Sequence, residues 1–228
     1  MRSTGRTDSP SIPSSSPGRP GRIRTLDDIA LDTGTDKASD GHGYTTYYER
    51  LLGPVRYKAL TLLELGVWHG ASLRMWAEYL PNAQIIGVDT SEPIVIDDPN
   101  VVVWQDDQTS DTLGRRIRLS FGDLDVIIDD ASHISSKTIK SFEHLWWYLK
   151  PGGWYVIEDL QTSYDSANYD GWPNPNVDWH QPVTAMRFCK RLADEVQRHQ
   201  FPNQYWLGYA IESVCFYENI CIIEKAVS

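Results

Sequence analysis

Short apolar runs alternate along this chain with segments in which apolar residues recur every three or four positions. The runs predict buried strands of a parallel sheet, and the periodic segments predict helices that pack on that sheet. Strands are predicted at residues 60–65, 84–89, 101–104, 125–129 and 154–158, and helices at about 44–58, 71–80, 109–120, 135–149 and 183–199. The alternation predicts an α/β fold with a Rossmann-like, doubly wound and mostly parallel sheet.

Two more apolar segments, residues 211–217 and 220–224, flank the dipeptide Glu218-Asn219 near the end of the chain. A short polar turn between such segments predicts a terminal antiparallel hairpin, which brings the sheet to seven strands. The first 22 residues are mostly Ser, Pro, Gly and Arg, and they predict a disordered tail because they carry too little apolar surface to fold. We therefore expect one domain, residues 23–228, which is enough chain for a complete core.

Two predicted strands end in pairs of acids, Asp129-Asp130 and Glu158-Asp159. The carboxyl ends of parallel strands meet at one edge of a sheet, where open α/β folds bind ligands. Carboxylates gathered there repel each other unless a cation lies among them, and oxygen donors without nearby cysteine suit Mg²⁺. The alternative is that these acids cap the helices that follow. We favour a metal site, because the acidic pairs lie at corresponding ends of two strands.

His133 follows the first acidic pair by three residues. A histidine at this edge of the sheet suits a general base, because its imidazole accepts a proton near neutral pH. The alternative is a histidine that caps a helix or packs in the core.

A glycine-containing turn joins the first predicted strand to the next helix, between Gly66 and Gly70. Strand, glycine turn and helix form the arrangement of nucleotide-cofactor sites, although a plain turn is the simpler alternative. The next strand ends in Asp89, about 20 residues beyond these glycines, which is the spacing at which a carboxylate contacts ribose hydroxyls. The pattern therefore favours a cofactor that contains a ribose.

Residues 160–181 form a long polar stretch that contains several aromatic side chains. A loop of this length in a compact domain is usually functional or disordered, and its aromatic residues favour a functional lid over a substrate. The alternative is that they pack on the domain. The candidates for substrate contact are Tyr164, Trp172, Trp179 and His180.

The net charge of −10 argues against nucleic acid as a partner. Cys189, Cys215 and Cys221 lack the spacing of metal ligands, which favours buried free thiols in a reducing cytoplasm. No apolar run reaches membrane length, and the N-terminus has no apolar signal region, so we expect a cytoplasmic protein without a membrane partner.

The chain resembles the class I S-adenosylmethionine-dependent methyltransferases in its glycine motif, Glu64 to Gly70, and in Asp89. Over about residues 31–226 it is also similar to the Mg²⁺-dependent sugar O-methyltransferases of macrolide biosynthesis. The motifs that carry this second resemblance are Thr35-Asp36-Lys37, His42-Gly43-Tyr44, Ser72-Leu73-Arg74-Met75-Trp76, Asp107-Gln108, Asp129 to His133 and Glu158 to Tyr164. The chain departs from that family at Asp106 and Ala131, where glycine is usual, and we expect it to differ from the mycinamicin-type enzymes in having no counterpart of their extra N-terminal domain.

The resemblance implies a role for each motif. It implies that S-adenosylmethionine lies among Glu64, Gly66, Gly70, Ser72, Asp89, Asp107 and Gln108. It implies that Asp130, Glu158 and Asp159 hold Mg²⁺ and that His133 is the general base. The expected reaction is methyl transfer from S-adenosylmethionine to a hydroxyl of a deoxysugar or glycoside in macrolide or polyketide biosynthesis.

Three points stay open at this stage. The acceptor is either a small-molecule glycoside or a catechol-like diol. A cyclase or regulatory protein that binds S-adenosylmethionine without transferring its methyl is a further alternative, although the complete set of acids and histidine argues against it. A homo-oligomer is one option for the assembly.

Overall fold

The computed structural model describes residues 23–165, 169, 184–197 and 207–227. The predicted disordered tail, residues 1–22, lies outside the described residues, as does most of the predicted aromatic lid. Trp172, Trp179 and His180 are among the residues that are not described.

A seven-stranded sheet forms the centre of the molecule, and its order is β3-β2-β1-β4-β5-β7-β6. The strands are β1 Thr61–Leu65, β2 Gln84–Asp89, β3 Val101–Gln105, β4 Leu124–Asp129, β5 Leu149–Ile157, β6 Ile211–Tyr217 and β7 Ile220–Lys225. The pairs among β1 to β5 are parallel, whereas β7 runs antiparallel to both β5 and β6. The α/β fold, the doubly wound sheet and the terminal hairpin are therefore confirmed.

Six α-helices accompany the sheet in the described residues: α1 Leu26–Thr33, α2 Thr45–Leu52, α3 Ala71–Tyr79, α4 Leu113–Phe121, α5 Ser135–Leu145 and α6 Ala185–Glu195. Three short 3₁₀ segments, Gly53–Val55, Trp146–Tyr148 and Leu160–Tyr164, follow α2, α5 and β5. The predicted helices at 44–58 and 135–149 were too long. The first ends early because Pro54 cannot continue the α-helical hydrogen bonds, and the second ends in a 3₁₀ turn before β5.

Helix α1 was not predicted from the sequence. Thr25 begins it with a capping box, in which Asp28 N–H donates to the Thr25 hydroxyl at 3.1 Å and Thr25 N–H donates to the Asp28 carboxylate at 2.9 Å. Gly34 ends the helix with a left-handed backbone, φ 72°. The signal was present in the sequence as a threonine followed three residues later by an acid.

The core lies on both faces of the sheet. Successive residues of β1 point to opposite faces, so Leu62 packs with α1, α2 and α3 whereas Leu63 packs with α4, α5 and α6. This burial on both sides explains why the parallel strands are continuous apolar runs. None of the helices in the described residues has the length and apolar character to cross a bilayer.

The cysteines depart in part from the sequence expectation. All three are free, and Cys189 and Cys221 are buried as expected. The expectation of burial was wrong for Cys215, which is exposed because its strand, β6, lies at the edge of the sheet.

Candidate functional site

The acids after β4 and β5 meet at one edge because the parallel hydrogen-bond ladder continues past the strands. Asp130 N–H donates to the Leu65 carbonyl at 3.0 Å, and Glu158 N–H donates to the Asp129 carbonyl at 3.0 Å. The carboxyl ends of β1, β4 and β5 are thereby held side by side. The predicted meeting of the two acidic pairs is therefore seen in the structure.

Asp130, His133 and Asp159 form a group whose candidate ligand atoms all lie within 4.8 Å of one another. His133 and Asp159 both have a left-handed backbone, with φ of 55° and 54°. The Thr162 hydroxyl lies within donating distance of two backbone carbonyls, that of Asp159 at 2.7 Å and that of His133 at 3.1 Å, and so bridges the two loops. Strained backbone held by such bonds is common at functional sites, and carboxylate oxygens with an imidazole suit a divalent cation.

Glu158 has a different environment from its neighbour. Its buried carboxylate accepts hydrogen bonds from the Tyr48 hydroxyl at 2.5 Å and from Lys37 Nζ at 2.7 Å. Lys37 Nζ also donates to Asp130 and lies 3.5 Å from Glu64 Oε1. Burial and the Asp130 carboxylate raise the pKa of Glu158 well above its usual range, although Lys37 and the hydrogen bond from Tyr48 oppose them. Burial alone lowers the pKa of Lys37, but the three carboxylates outweigh it and raise that pKa well above its usual range.

Two tyrosines four positions apart, Tyr44 just before α2 and Tyr48 within it, each hold one acid of the second pair. The Tyr44 hydroxyl donates to Asp159 Oδ1 at 2.7 Å, and the Tyr48 hydroxyl donates to Glu158. Burial tends to raise the pKa of Asp159, but the hydrogen bonds from Tyr44 and Gln161 and the nearby histidines lower it below its usual value. Asp159 is therefore kept ionised. Neither tyrosine was predicted to hold an acid, although Tyr44 lies in the motif His42-Gly43-Tyr44.

A cavity of about 620 Å³ opens beside these acids, a volume within the range of small-molecule sites. The predicted residues that line it are Gly66, Ser72, Asp89, Asp130, His133 and Asp159. Gly66 has φ +88°, and a Cβ at this position would collide with the Asp130 carbonyl oxygen. The glycine therefore lets the turn after β1 approach the acids closely.

Asp89 organises the glycine turn. Its carboxylate accepts hydrogen bonds from Val67 N–H at 2.8 Å, Trp68 N–H at 3.1 Å and Ser91 N–H at 2.9 Å. These bonds outweigh burial and lower the pKa of Asp89, so an ionised carboxylate faces the cavity.

A second cavity of about 160 Å³ adjoins the first across Gly66 and Asp89, and Asp107 and Gln108 also line it. The Gln108 amide donates to Asp129 at 3.2 Å and to the Ser141 hydroxyl at 3.0 Å, which ties the loop after β3 to β4 and α5. Of the predicted cofactor residues, Glu64 and Gly70 line neither cavity. Glu64 accepts a hydrogen bond from the Ser72 hydroxyl at 2.8 Å, and burial raises its pKa to about 7.

The predicted substrate residues are only partly described. Tyr164 is 56% exposed and lines neither cavity, and the other three lie outside the described residues. Three aromatic or imidazole side chains that sequence analysis did not select lie close by. Tyr169 has its ring centroid 6.4 Å from that of His133. Trp68, which is 77% exposed, packs against His69 with the two rings tilted and their centroids 4.4 Å apart, and both residues line the larger cavity.

Residues 63–160 match the family model described as a methyltransferase domain. This match agrees with the sheet order, which is that of the class I methyltransferase fold seen in a solved structure at 30% identity. The resemblance to macrolide sugar O-methyltransferases that was expected from the sequence is also confirmed, by relatives and by solved structures.

One relative is the 8-demethyl-8-alpha-L-rhamnosyl tetracenomycin-C 2'-O-methyltransferase of Streptomyces olivaceus, which is 33% identical over 86% of this chain and 53% of its own length. Another is the mycinamicin VI 2''-O-methyltransferase of Micromonospora griseorubida, which is 31% identical over 81% of this chain and 48% of its own length. A solved structure of MycE methyltransferase from the mycinamycin biosynthetic pathway, in complex with Mg, SAH and mycinamycin VI, has a TM-score of 0.81 and 30% identity. That match covers 90% of this chain and 54% of MycE. The chain thus spans about half the length of these relatives.

Proposed function

We propose that this protein is a Mg²⁺-dependent O-methyltransferase that transfers the methyl group of S-adenosylmethionine to a sugar hydroxyl of a macrolide or polyketide glycoside. The observation that carries the proposal is one shared cavity. Asp130, His133 and Asp159 line the same space as Gly66 and Asp89, so candidate metal, base and cofactor residues face a common volume. The named relatives act on such glycosides, and MycE was solved with Mg and SAH.

The larger cavity suits the cofactor. In our proposal Gly66 and Ser72 lie along the cofactor, and Asp89 accepts hydrogen bonds from its ribose hydroxyls. Asp107 and Gln108 line the adjoining cavity, where the adenine ring would lie. Glu64 acts through Ser72, whose hydroxyl it holds, because it lines neither cavity itself.

The donor set suits Mg²⁺, with Asp130, Glu158 and Asp159 as the proposed ligands. Their oxygens are the hard donors that this ion prefers, and Tyr44 and Tyr48 orient two of them. A bound Mg²⁺ would lower the pKa of a sugar hydroxyl and hold the sugar in place. The close approach of Asp130 and Asp159 supports this assignment.

His133 is the proposed general base. Its Nε2 lies 3.5 Å from Asp159 Oδ2, and the ring lines the cavity. The neutral imidazole would accept the proton of the acceptor hydroxyl as the oxygen attacks the methyl group. The Asp159 carboxylate would then stabilise the imidazolium that forms. Tyr169, whose ring lies beside His133, is a candidate for contact with the sugar.

The test is the release of S-adenosylhomocysteine with panels of macrolide and polyketide glycosides, with Mg²⁺ and with EDTA. We expect release with a glycoside and Mg²⁺, and loss of release in EDTA. Asp159→Asn should abolish turnover. The matched control Asp125→Asn should keep it, because Asp125 accepts from Thr61 N–H and Lys150 at the other end of β4.

Each alternative predicts a different result. Turnover of catechols but not of glycosides would support a catechol-like diol as the acceptor. Full turnover in EDTA would refute the metal site, and binding of S-adenosylhomocysteine without turnover of any acceptor would support a non-methylating protein. Our expectations of a cytoplasmic location, of no nucleic-acid or membrane partner, and of a homo-oligomer as one option stay predictions. Size-exclusion chromatography with light scattering tests the last of these.

A further inference from the structure

A buried lysine lies among the acids at the sheet edge, and the proposed reaction gives it no role. Lys37 Nζ is 2.7 Å from Glu158 Oε2 and 3.5 Å from Glu64 Oε1, and it donates to Asp130 as well. Its side chain is 1% exposed, and no other lysine or arginine is buried within the described part of the chain. One ammonium group therefore faces three carboxylates from the ends of three strands.

The loop between α1 and α2 determines this position through its backbone. Thr45 N–H donates to the Lys37 carbonyl at 3.0 Å, and His42 N–H donates to the Asp36 carbonyl at 2.6 Å. A Cβ at Gly41 would collide with that same Asp36 carbonyl, so the loop is tightly closed on itself. Lys37 is therefore held in place by contacts that do not depend on a bound cation.

Both oxygens of Glu158 are already bonded within the protein, one to Tyr48 and the other to Lys37. Without the ammonium group, Glu158 and Asp130 would face each other with no cation between them. Removing one partner of a buried ion pair is strongly destabilising, because it leaves the other charge buried and uncompensated.

We infer that Lys37 is the built-in counter-ion of the metal site, an inference that rests on the metal-dependent function proposed above. In the metal-free protein its ammonium group offsets the repulsion between Asp130 and Glu158 and so stabilises the fold. Lys37 and a divalent cation would share these two carboxylates and repel each other. The lysine therefore lowers metal affinity while it keeps the empty site formed.

The test uses the full chain and the substitution Lys37→Met, with Mn²⁺ as the probe. In EDTA the Tm should fall by about 6–20 °C relative to the wild type, because a buried charge is left unpaired. Saturating Mn²⁺ should recover most of that loss. Calorimetry should show Mn²⁺ binding at least about tenfold more tightly than in the wild type, because a nearby positive charge has been removed.

Two matched variants test whether the effect of Lys37→Met comes from the loss of its charge and from the place of that charge in the fold. Lys37→Arg keeps the charge in a larger side chain, so its Mn²⁺ affinity should stay close to that of the wild type and its Tm in EDTA should fall less than that of Lys37→Met. Lys150→Met removes a lysine that pairs with Asp125 at 2.7 Å but is 42% exposed and lies at the other end of β4. It should change neither quantity.

A further variant covers the case in which Lys37→Met does not fold in EDTA. Lys37→Met combined with Glu158→Gln removes one charge of each sign, and its Tm in EDTA should exceed that of Lys37→Met alone. The inference is refuted if Lys37→Met has the wild-type Tm in EDTA, if it binds Mn²⁺ no more tightly than the wild type, or if the double variant shows no recovery.

The two proposals fail in different ways. A wild-type protein that binds no Mn²⁺ and turns over no acceptor would refute the proposed function, whereas the comparison of Tm values in EDTA would still test the counter-ion. A wild-type protein that is metal-dependent, with unchanged Mn²⁺ affinity and Tm in Lys37→Met, would refute the counter-ion alone.

Discussion

Replacing Gly66 by alanine tests how much stability and cofactor affinity depend on the close approach of the glycine turn to the acids. The backbone of Gly66 has φ +88°, and a Cβ there would lie 2.8 Å from the Ala131 Cα and still closer to the Asp130 carbonyl oxygen. Gly208 is a matched control, because its φ is +89° and a Cβ would meet nothing within 4 Å. The two substitutions therefore share the backbone strain and differ in the collision.

The loss in the free energy of unfolding can be stated for each variant. An alanine with a left-handed backbone costs roughly 1–2 kcal/mol, which is the expected loss for Gly208→Ala. Gly66→Ala adds an overpacking term of about 1–3 kcal/mol, because both colliding groups are backbone and cannot rotate away. For a chain of this size the difference between the two variants corresponds to about 2–12 °C in Tm.

The assays are urea unfolding in EDTA, calorimetry with S-adenosylhomocysteine and steady-state kinetics. To relieve the collision, either the glycine turn or the backbone of Asp130 must move, and both of them line the cavity. Gly66→Ala should therefore lose cofactor affinity as well as stability, and its turnover should fall by about 10²-fold, as for a misplacement of about 1 Å. Gly208→Ala should keep both. Equal destabilisation of the two variants, with unchanged affinity for S-adenosylhomocysteine, would refute this reasoning.

Three further predictions concern the acids and the base. His133→Ala should lower kcat by about 10²–10⁴-fold while S-adenosylhomocysteine and Mn²⁺ still bind, and a kcat near that of the wild type would place the base elsewhere. Burial raises the pKa of Asp129 to about 7, so the unfolded chain loses this proton at lower pH than the folded chain. Asp129 therefore makes the wild type less stable as pH rises from about 4 to 7, by up to about 4 kcal/mol. In EDTA, the Tm of Asp129→Asn minus the Tm of the wild type should therefore increase as the pH rises from about 4 to 7. A difference that stays constant over this range would contradict the raised pKa of Asp129. Tyr44→Phe should weaken Mn²⁺ binding about tenfold, because Asp159 loses a hydrogen bond that orients it, whereas Tyr47→Phe should leave the affinity unchanged.

The sheet, and the edge of it at which the candidate site lies, could be predicted from the sequence. Continuous apolar runs specify strands buried on both faces, and their alternation with helical periods allows few topologies. The carboxyl ends of neighbouring parallel strands lie side by side. The acidic pairs that end the predicted strands 125–129 and 154–158 could therefore be expected to meet. The glycine turn at Gly66 and the spacing from it to Asp89 separately predicted a cofactor site at the ends of the first two strands.

The contacts that hold these acids could not be predicted from the sequence. Lys37 is 121 positions from Glu158, and Tyr44 is 115 positions from Asp159, so no local pattern records either contact. The division between an acid that faces the cavity, Asp159, and one that is buried against a lysine, Glu158, has the same origin. The two acids are neighbours in sequence and follow the same strand. Their environments differ because a helix and a loop from the start of the chain pack more closely over Glu158 than over Asp159.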